Sequence, residues 1–497
     1  MNYLRVPSEV QINDICKKDF SWSAGMYRKV IIPTPKVKPL KDLLDKNKPF
    51  DKGNEPGSMW YMKKSTCYFI RTKALQDHSN LLYPKGDSII PVNPKIFVNP
   101  KLVSGDILLS KDSNIGECAI VSQEYCNNYM FSSGMVRIHP KQDNLYLFAF
   151  MKHPIFKTQL KSMVPRGATI THAKTLWLDC LIPFPNQKDD KQIVEYVSAL
   201  MQAIIDKEEA IKERAEKIHN IIQLELIGNQ KNNKFKFSYP NYNELLQSYR
   251  LDSAIYDNEY KSKIWLVENY KGDYAIPSDY GFTVIPGPSL EIKLLKTRID
   301  SDVYKPGFYA LILPTNISAY GTMNVIPYLG TAKKLPLLKE GDIIFGEAGF
   351  HKGRSIVLLE GINNCTTNAH GLYARRSDGD IKKSIYFRCI FDWYRSKRLI
   401  DLMAVGGSGG HFSPEYFDYI KIPKFPQNKQ DEIVLQYHNP TPKPSEKLTI
   451  RDLVNWHKKW NNGLGIWELD REMKVLQNTL LDVQQKIIDG KVVKVEL

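Results

Sequence analysis

The sequence predicts an α+β fold in which two similar β-rich domains are separated by two long helices that pair as an antiparallel coiled coil. Three observations support this prediction. The chain repeats itself in order along its length, short apolar runs are cut by glycine, proline and asparagine, and two stretches space apolar residues three and four apart. A chain of 497 residues is also too long for one compact core, which favours two domains.

The internal repeat is the most informative feature of the chain. The longest match joins residues 104–121, SGDILLSKDSNIGECAIV, to residues 340–357, EGDIIFGEAGFHKGRSIV. The offset between the two copies is 236 at the start of this match and 237 after a one-residue insertion. The same offset of 237 aligns 134–136 with 371–373. LIPFPNQKDDKQIV at 181–194 matches KIPKFPQNKQDEIV at 421–434, and WSAGMY at 22–27 matches LDSAIY at 251–256. Because the matches keep one order, we predict two tandem copies of about 230–240 residues.

Each copy follows the same order of elements. The GDILL and GDIIF segments predict buried strands entered through a tight turn. A glycine-bearing loop follows at 166–169 in the first copy and at 406–410 in the second, and then a short helix near 172–178 or 413–418, a strand and a long helix.

Heptad spacing predicts that the two long helices are coiled-coil segments. The first helix is expected from about 188 to 226, and the second begins near 428, breaks at 438–444 and resumes after Gly465, with 448–464 as an inserted helical piece. The predicted seam, which is also the predicted partner-docking face, consists of Val197, Ile204, Ile211, Ile218, Leu469, Met473, Leu476, Leu480, Val483 and Ile487. The alternative is that each helix packs on its own domain as an ordinary amphipathic helix.

The predicted boundaries follow from these patterns. The first domain covers 1–186, a central coiled-coil helix 187–229, the second domain 230–426, and a C-terminal coiled-coil helix 427–497 with an insertion near 438–465.

Composition indicates the kind of partner. Lysine and arginine number 69 against 54 aspartates and glutamates, a net charge of +15 that suits a polyanion such as duplex DNA, although a lysine-rich surface kept for solubility gives the same count. The seven cysteines form no CxxC pair, so we expect neither a disulfide framework nor a zinc site. With no signal peptide and no membrane-spanning run, the sequence is typical of a cytoplasmic protein.

The ordered set of motifs resembles the specificity subunit of type I restriction–modification systems. The resemblance rests on the paired GDI strands, the Arg-Gly-Ala-Thr loop, the IP junctions into long helices and RLDSAIY at 250–256. It implies two target-recognition domains, each reading one half of a bipartite asymmetric DNA site, and helices that fix the spacing of the halves. The interrupted second helix and Trp22-Ser23-Ala24-Gly25 depart from the simplest pattern and leave the docking details open.

The resemblance also implies partners and cofactors. Two modification (methyltransferase) subunits would dock on the helices and bring S-adenosylmethionine, and restriction subunits that translocate and cleave would bring ATP and Mg²⁺. The chain itself would bind double-stranded DNA, no membrane and no cofactor.

DNA contacts are expected from polar and basic side chains in loops, because phosphates are bound by cations and bases are read by arginine, asparagine, serine and threonine. The candidates are Arg71, Lys73, Lys111, Ser113, Asn114, Arg166, Thr169, His172, Lys352, Arg354, Arg375, Arg376 and His411. Each could equally lie in a solvated turn or a structural cap.

No catalytic motif is found in the sequence. There is no Asn/Asp-Pro-Pro-aromatic motif, no Walker loop and no HExxH. Asp342, Glu347 and Lys352 are the nearest approach to a nuclease set, but Lys111 stands where the second copy has Glu347. We therefore predict a non-catalytic subunit with no metal site. The alternatives are a stand-alone two-domain DNA-binding regulator and a scaffold whose charge is incidental.

Overall fold

A computed structural model describes residues 4–16, 20, 22, 27–84, 86–97, 101–164, 172–231, 234–349, 352–360, 364–406, 410–445 and 448–495. The chain divides into two compact units. The first unit comprises Met1–Glu209, Lys443–Asn462 and Arg471–Leu497, and the second comprises Ala210–Pro442 and Gly463–Asp470. No helix in the described part of the chain combines the length and the apolar character that a membrane crossing requires.

The first unit contains strands of two to four residues and helices that come mainly after them. Its strands are β1 (Leu4–Arg5), β2 (Lys29–Val30), β3 (Val37–Pro39), β4 (Phe50–Lys52), β5 (Cys67–Ile70), β6 (Ile89–Val92), β7 (Ile107–Ser110), β8 (Cys118–Ile120), β9 (Tyr129–Phe131), β10 (Met135–Ile138) and β11 (Leu181–Pro183). Its first helices are α1 (Ile12–Cys16), α2 (Leu40–Leu43), α3 (Asn144–Lys152) and α4 (Pro154–Met163), and α5 (Asp190–Gly228) begins in this unit.

The second unit has the same mixed character. Its strands are β12 (Tyr274–Ala275), β13 (Phe282–Ile285), β14 (Ile299–Ser301), β15 (Tyr309–Leu311), β16 (Tyr328–Gly330), β17 (Ile343–Gly346), β18 (Ser355–Val357), β19 (Cys365–Thr366), β20 (Gly371–Arg376) and β21 (Ile422–Pro423). Its helices are α6 (Tyr242–Ser248), α7 (Asn258–Glu268), α8 (Ile292–Leu295), α9 (Ile381–Ser396), α10 (Leu399–Met403) and α11 (Gln427–Tyr437). Two helices follow, α12 (Ile450–Asn461) and α13 (Ile466–Ile488).

The two units share one sheet topology. A four-stranded sheet has the order β4-β10-β7-β8 in the first unit and β13-β20-β17-β18 in the second. Each unit also has a second sheet in which one pair is parallel, β5 with β9 and β15 with β19. A tyrosine hydroxyl in the helix after the first sheet donates to a proline carbonyl in both, from Tyr146 to Pro183 and from Tyr386 to Pro423, at 2.7 Å each. The predicted α+β class with two similar β-rich parts is confirmed.

Strand register tests the offsets of the repeat. Ile107 pairs with Ile120, and Ile343 pairs with Val357, so the offset grows from 236 to 237 across this hairpin as predicted. The next strand returns to 236, because Met135 faces Ser110 and Gly371 faces Gly346. The predicted correspondence of 134–136 with 371–373 is therefore wrong by one residue. The hydrogen-bonded pairing of the strands fixes their register, and the glycines that match in sequence are displaced by one position from it.

The long helices are close to their predicted bounds. α5 runs over Asp190–Gly228, and the second helix breaks after Tyr437, contains the inserted α12 and resumes at Ile466. The short helices predicted near 172–178 and 413–418 are 3₁₀ turns at Leu176–Asp179 and Pro414–Tyr419.

Within the first unit, α5 and α13 run antiparallel. Gln187, just before α5, exchanges hydrogen bonds with Val493, just after α13, at 2.8 and 3.1 Å. One buried cluster combines Val197 and Ile204 of α5 with Leu480 and Ile487 of α13. The same cluster contains side chains of α3 and α4, so the apolar faces of both helices also complete the core of this unit. Both readings of the helices therefore hold here, since the helices pair with each other and also pack on the domain.

Lys207 of α5 is a buried cation in the first unit. Its side chain is fully buried, and its Nζ donates to Asn461 Oδ1 at 2.6 Å and lies 5.0 Å from the centre of the Trp460 ring. Burial lowers the pKa of Lys207 to about 8, even though Glu472 and Asp206 act to raise it.

We expect the free energy of unfolding of the first unit to rise by about 3 kcal/mol between pH 8 and 10.5, because the unfolded lysine still holds its proton while the folded one releases it. Urea unfolding across this pH range checks the rise. Lys207→Met, which has no titrating group, is the control, and an identical pH profile in variant and parent would contradict this assignment.

Candidate nucleic-acid interface

The candidate site of the first unit forms where β7 ends. Lys111 and Asp112 both donate backbone N–H groups to Gly134 O, at 2.9 and 3.2 Å, and Lys111 O accepts from Ala173 N at 2.7 Å. Asp112 and His172 form an isolated β-bridge. Backbone pairing thus brings together the end of β7, the start of β10 and the chain that follows the glycine-bearing loop.

Side chains in this place form an ion-pair cluster. His172 Nδ1 lies 2.8 Å from Asp112 Oδ1, and Lys111 Nζ lies 2.5 Å from Asp112 Oδ2. The His172 side chain is 56% exposed, whereas the Asp112 side chain is 20% exposed. The carboxylate is therefore covered and compensated, and the imidazole faces solvent.

Gly134 lets a further basic turn approach this cluster. A Cβ at this position would lie 2.9 Å from Thr72 Cγ2 and 3.5 Å from Asp112 Cβ. The close approach places the 3₁₀ turn Thr72–Ala74 beside Asp112. Arg71 and Lys73, which flank Thr72, both form ion pairs with Asp87. We expect a larger side chain at 134 to push this turn away.

The turn between β7 and β8 is exposed at its tip. Ser113 has a left-handed backbone, with φ of 66°, and Asn114 O accepts from Glu117 N at 3.1 Å to close the turn. Both side chains are solvent-exposed, as a base-reading role requires. Arg166 and Thr169, predicted as DNA contacts, lie outside the described residues.

The second unit repeats the histidine–carboxylate pair. His411 bridges Ala348, the positional equivalent of Asp112, and Phe412 N donates to Glu347 O at 2.9 Å. His411 Nδ1 lies 3.5 Å from Glu347 Oε1, with the histidine side chain 57% exposed and the glutamate side chain 18% exposed. The carboxylate comes from one position earlier than in the first unit.

The other predicted cations of the second unit are bound within the chain. Arg375 donates to both carboxylate oxygens of Asp342, at 2.8 and 2.6 Å, and these hydrogen bonds raise the pKa of its guanidinium. Arg354 donates to Ile317 O at 2.8 Å. Both guanidinium groups therefore have partners within the fold, and their role as DNA contacts stays a prediction.

Two more cations of this set are largely buried. Arg376 donates to Tyr280 O and pairs with Asp378, and its side chain is 7% exposed. Lys352 Nζ lies 3.2 Å from Asp401, and its side chain is 8% exposed. Both side chains have little exposed surface, and their role as DNA contacts also stays a prediction.

The predicted seam residues are buried or half-buried. Val197, Ile204, Ile211, Ile218 and Leu469 are at most 3% exposed, Leu476, Leu480, Val483 and Ile487 at most 9%, and Met473 is intermediate. This burial agrees with a seam between helices, and docking of a partner on these helices stays a prediction.

Sequence reasoning missed Asp112 and Glu347 as partners of the two histidines. The internal repeat could not reveal these carboxylates, because Lys111 aligns with Glu347 and Asp112 aligns with Ala348. The carboxylate therefore stands at a different position in each copy. Within the described ranges, no group of three or more histidine, cysteine, aspartate or glutamate side chains is arranged to hold a metal ion.

Comparison with known proteins finds one family model that matches part of the chain. Residues 36–217 match the family model described as "Type I restriction modification DNA specificity domain". Two solved structures are similar. One is the HsdS subunit from Thermoanaerobacter tengcongensis, at 12% identity and a TM-score of 0.27, covering 92% of this chain and 98% of that one. The other is the type I restriction–modification S subunit from M. genitalium, at 11% identity and a TM-score of 0.32, covering 93% and 96%. No curated protein sequence matches.

Residues 36–217 thus match a DNA specificity domain by class. The particular family is that of type I restriction modification, and the resemblance inferred from the motifs is confirmed. The two solved structures have low identities and TM-scores, so this confirmation rests on the family match alone.

Proposed function

We propose that this chain is the specificity subunit of a type I restriction–modification complex, in which each copy reads one half of a bipartite asymmetric DNA site. The observation that supports this most directly is the repeat itself. The two domains share the sheet order, and each has a histidine beside the end of a central strand, which we call the strand-end histidine (His172 and His411). They differ at the neighbouring positions, where Lys111 corresponds to Glu347 and Asp112 to Ala348. A common scaffold with different surface residues suits two readers of different sequences.

In this proposal the long helices set the spacing between the half-sites and carry the partners. Two methyltransferase subunits dock on their outer faces and bring S-adenosylmethionine, and restriction subunits bring ATP and Mg²⁺. The chain itself supplies no catalytic group and acts in the cytoplasm. The extents proposed for the recognition domains are 1–186 and 230–426.

A stand-alone two-domain DNA-binding regulator is the alternative. Co-expression with the candidate methyltransferase subunits of the same host separates the two. We expect one stable complex, and methylation mapping of the host DNA should show one asymmetric sequence of two blocks with a fixed gap. A chain that purifies alone and leaves the methylation pattern unchanged when it is deleted would favour the regulator.

A further inference from the structure

The two strand-end pairs, His172 with Asp112 and His411 with Glu347, differ from the other histidine–carboxylate pairs of the described chain. In those pairs, His139 with Asp51, His219 with Asp392 and His438 with Glu468, the histidine side chain is 23–32% exposed. In the strand-end pairs it is 56% and 57% exposed. The strand-end imidazoles thus present more than half of their surface to solvent, at equivalent places in both copies.

Backbone atoms as well as the imidazoles connect these segments to the sheet. Backbone hydrogen bonds already hold both segments, from Ala173 N to Lys111 O in the first unit and from Phe412 N to Glu347 O in the second. His411 also exchanges two backbone hydrogen bonds with Val405, at 3.0 and 2.8 Å. A ring that is repeated and exposed, and that the backbone does not need, is best explained by a ligand outside the chain.

The chemistry of the pair favours an anion. In each pair Nδ1 faces the carboxylate, so the other ring nitrogen, Nε2, is left for an external group. A doubly protonated imidazole donates from both nitrogens, so Nδ1 can donate to the carboxylate while Nε2 donates outward to an anion. Lys111 adds a second cation in the first unit.

The repeat selects which part of DNA this anion is. If the two copies read different bases, a group that both copies keep must contact what both half-sites share, which is the phosphate backbone. We propose that His172 and His411 are phosphate contacts, one for each half-site, and that the residues beside them that differ between the copies read the bases. This inference rests on the proposed function, because it assumes that both copies bind DNA.

The test measures how salt affects binding. Each phosphate contact releases counterions, which contributes about 0.9 to the slope of log affinity against log salt. The full chain in complex with its co-expressed methyltransferase is titrated with a 40-base-pair duplex of random sequence over a range of salt concentrations. This probe requires no knowledge of the target, because non-specific binding is made of phosphate contacts.

At about pH 5.5, which is below the ordinary pKa of a histidine, we expect His172→Gln and His411→Gln each to weaken binding roughly fivefold and to lower the slope by about 0.9. The double variant should lower the slope by about 1.8. His172→Lys, which keeps a cation, should restore the slope. His438→Gln, which removes the histidine of a less exposed pair, should leave it unchanged. The methylated sequence should be the same in all variants.

Three outcomes would overturn the inference. Unchanged slopes in the glutamine variants would show that these rings do not touch phosphate. A slope that falls but is not restored by His172→Lys would indicate a folding defect rather than a lost charge. A changed methylation sequence in one half-site would make the histidine a base reader. If the parent complex fails to bind any duplex, the proposed function itself fails.

Discussion

Replacing Asp392 by alanine is expected to destabilise the second unit by about 4 kcal/mol, because it leaves buried arginine charge without a counterion. Asp392 is 2% exposed, and it accepts from Arg395 Nε at 2.8 Å. Arg388 is 1% exposed, and one of its guanidinium nitrogens lies 3.8 Å from the same carboxylate. His219 Nε2 lies 3.0 Å from it. Burial acts to raise the pKa of Asp392, but the two arginines hold it well below the ordinary value.

The same cluster predicts how acid affects this unit. A carboxyl whose folded pKa lies below its unfolded pKa contributes stability that is complete at neutral pH and is lost as the pH falls through the acidic range.

The free energy of unfolding of the second unit is measured by hydrogen exchange of peptides from α9 in increasing urea. The matched control is Asp300→Ala, which breaks an exposed pair with Arg298 and should cost less than about 1 kcal/mol. Equal losses in both variants would contradict a buried ion cluster.

Leu480→Asp is expected to cost about 5 kcal/mol in the first unit, since it places a charge in an apolar core. Leu480 is 6% exposed and lies in the cluster that joins α5, α13, α3 and α4. We expect α5 to lose its protection together with α13, because the two helices share this core.

Hydrogen exchange of the 190–205 peptide measures this coupling directly. The control is the next residue, Leu481, which is 46% exposed, so that Leu481→Asp should change the free energy of unfolding by about 0.5 kcal/mol or less. Loss of protection in α13 alone, with 190–205 unaffected, would mean that the helices do not depend on each other.

Much of the fold can be predicted from sequence because it depends on local and repeated signals. The GDI segments are buried strands in both units, and the heptad positions of α5 and α13 are buried or half-buried. The break at 438 follows from proline, which cannot continue a helix. The exception was the register of the strand after the hairpin, where glycines displaced by one position gave a wrong offset.

The ion pairs of the candidate site could not be predicted, because sequence shows that a cation is present and not what it pairs with. Arg375 and Asp342 are 33 positions apart, and Lys352 and Asp401 are 49 apart, yet each pair is closed by the fold. His172 and His411 occupy equivalent places in the two copies. Their carboxylate partners come from different positions of the repeat, so no alignment of the two copies would pair them.

Domain exchange is the most direct test of the central claim that two copies read two half-sites. Residues 20–185 are replaced by the equivalent segment of another specificity protein, the hybrid is expressed with its methyltransferase, and the methylated sequence is mapped. We predict that one block of the bipartite sequence changes while the other block is kept. A change in both blocks, or in neither, would contradict the modular account.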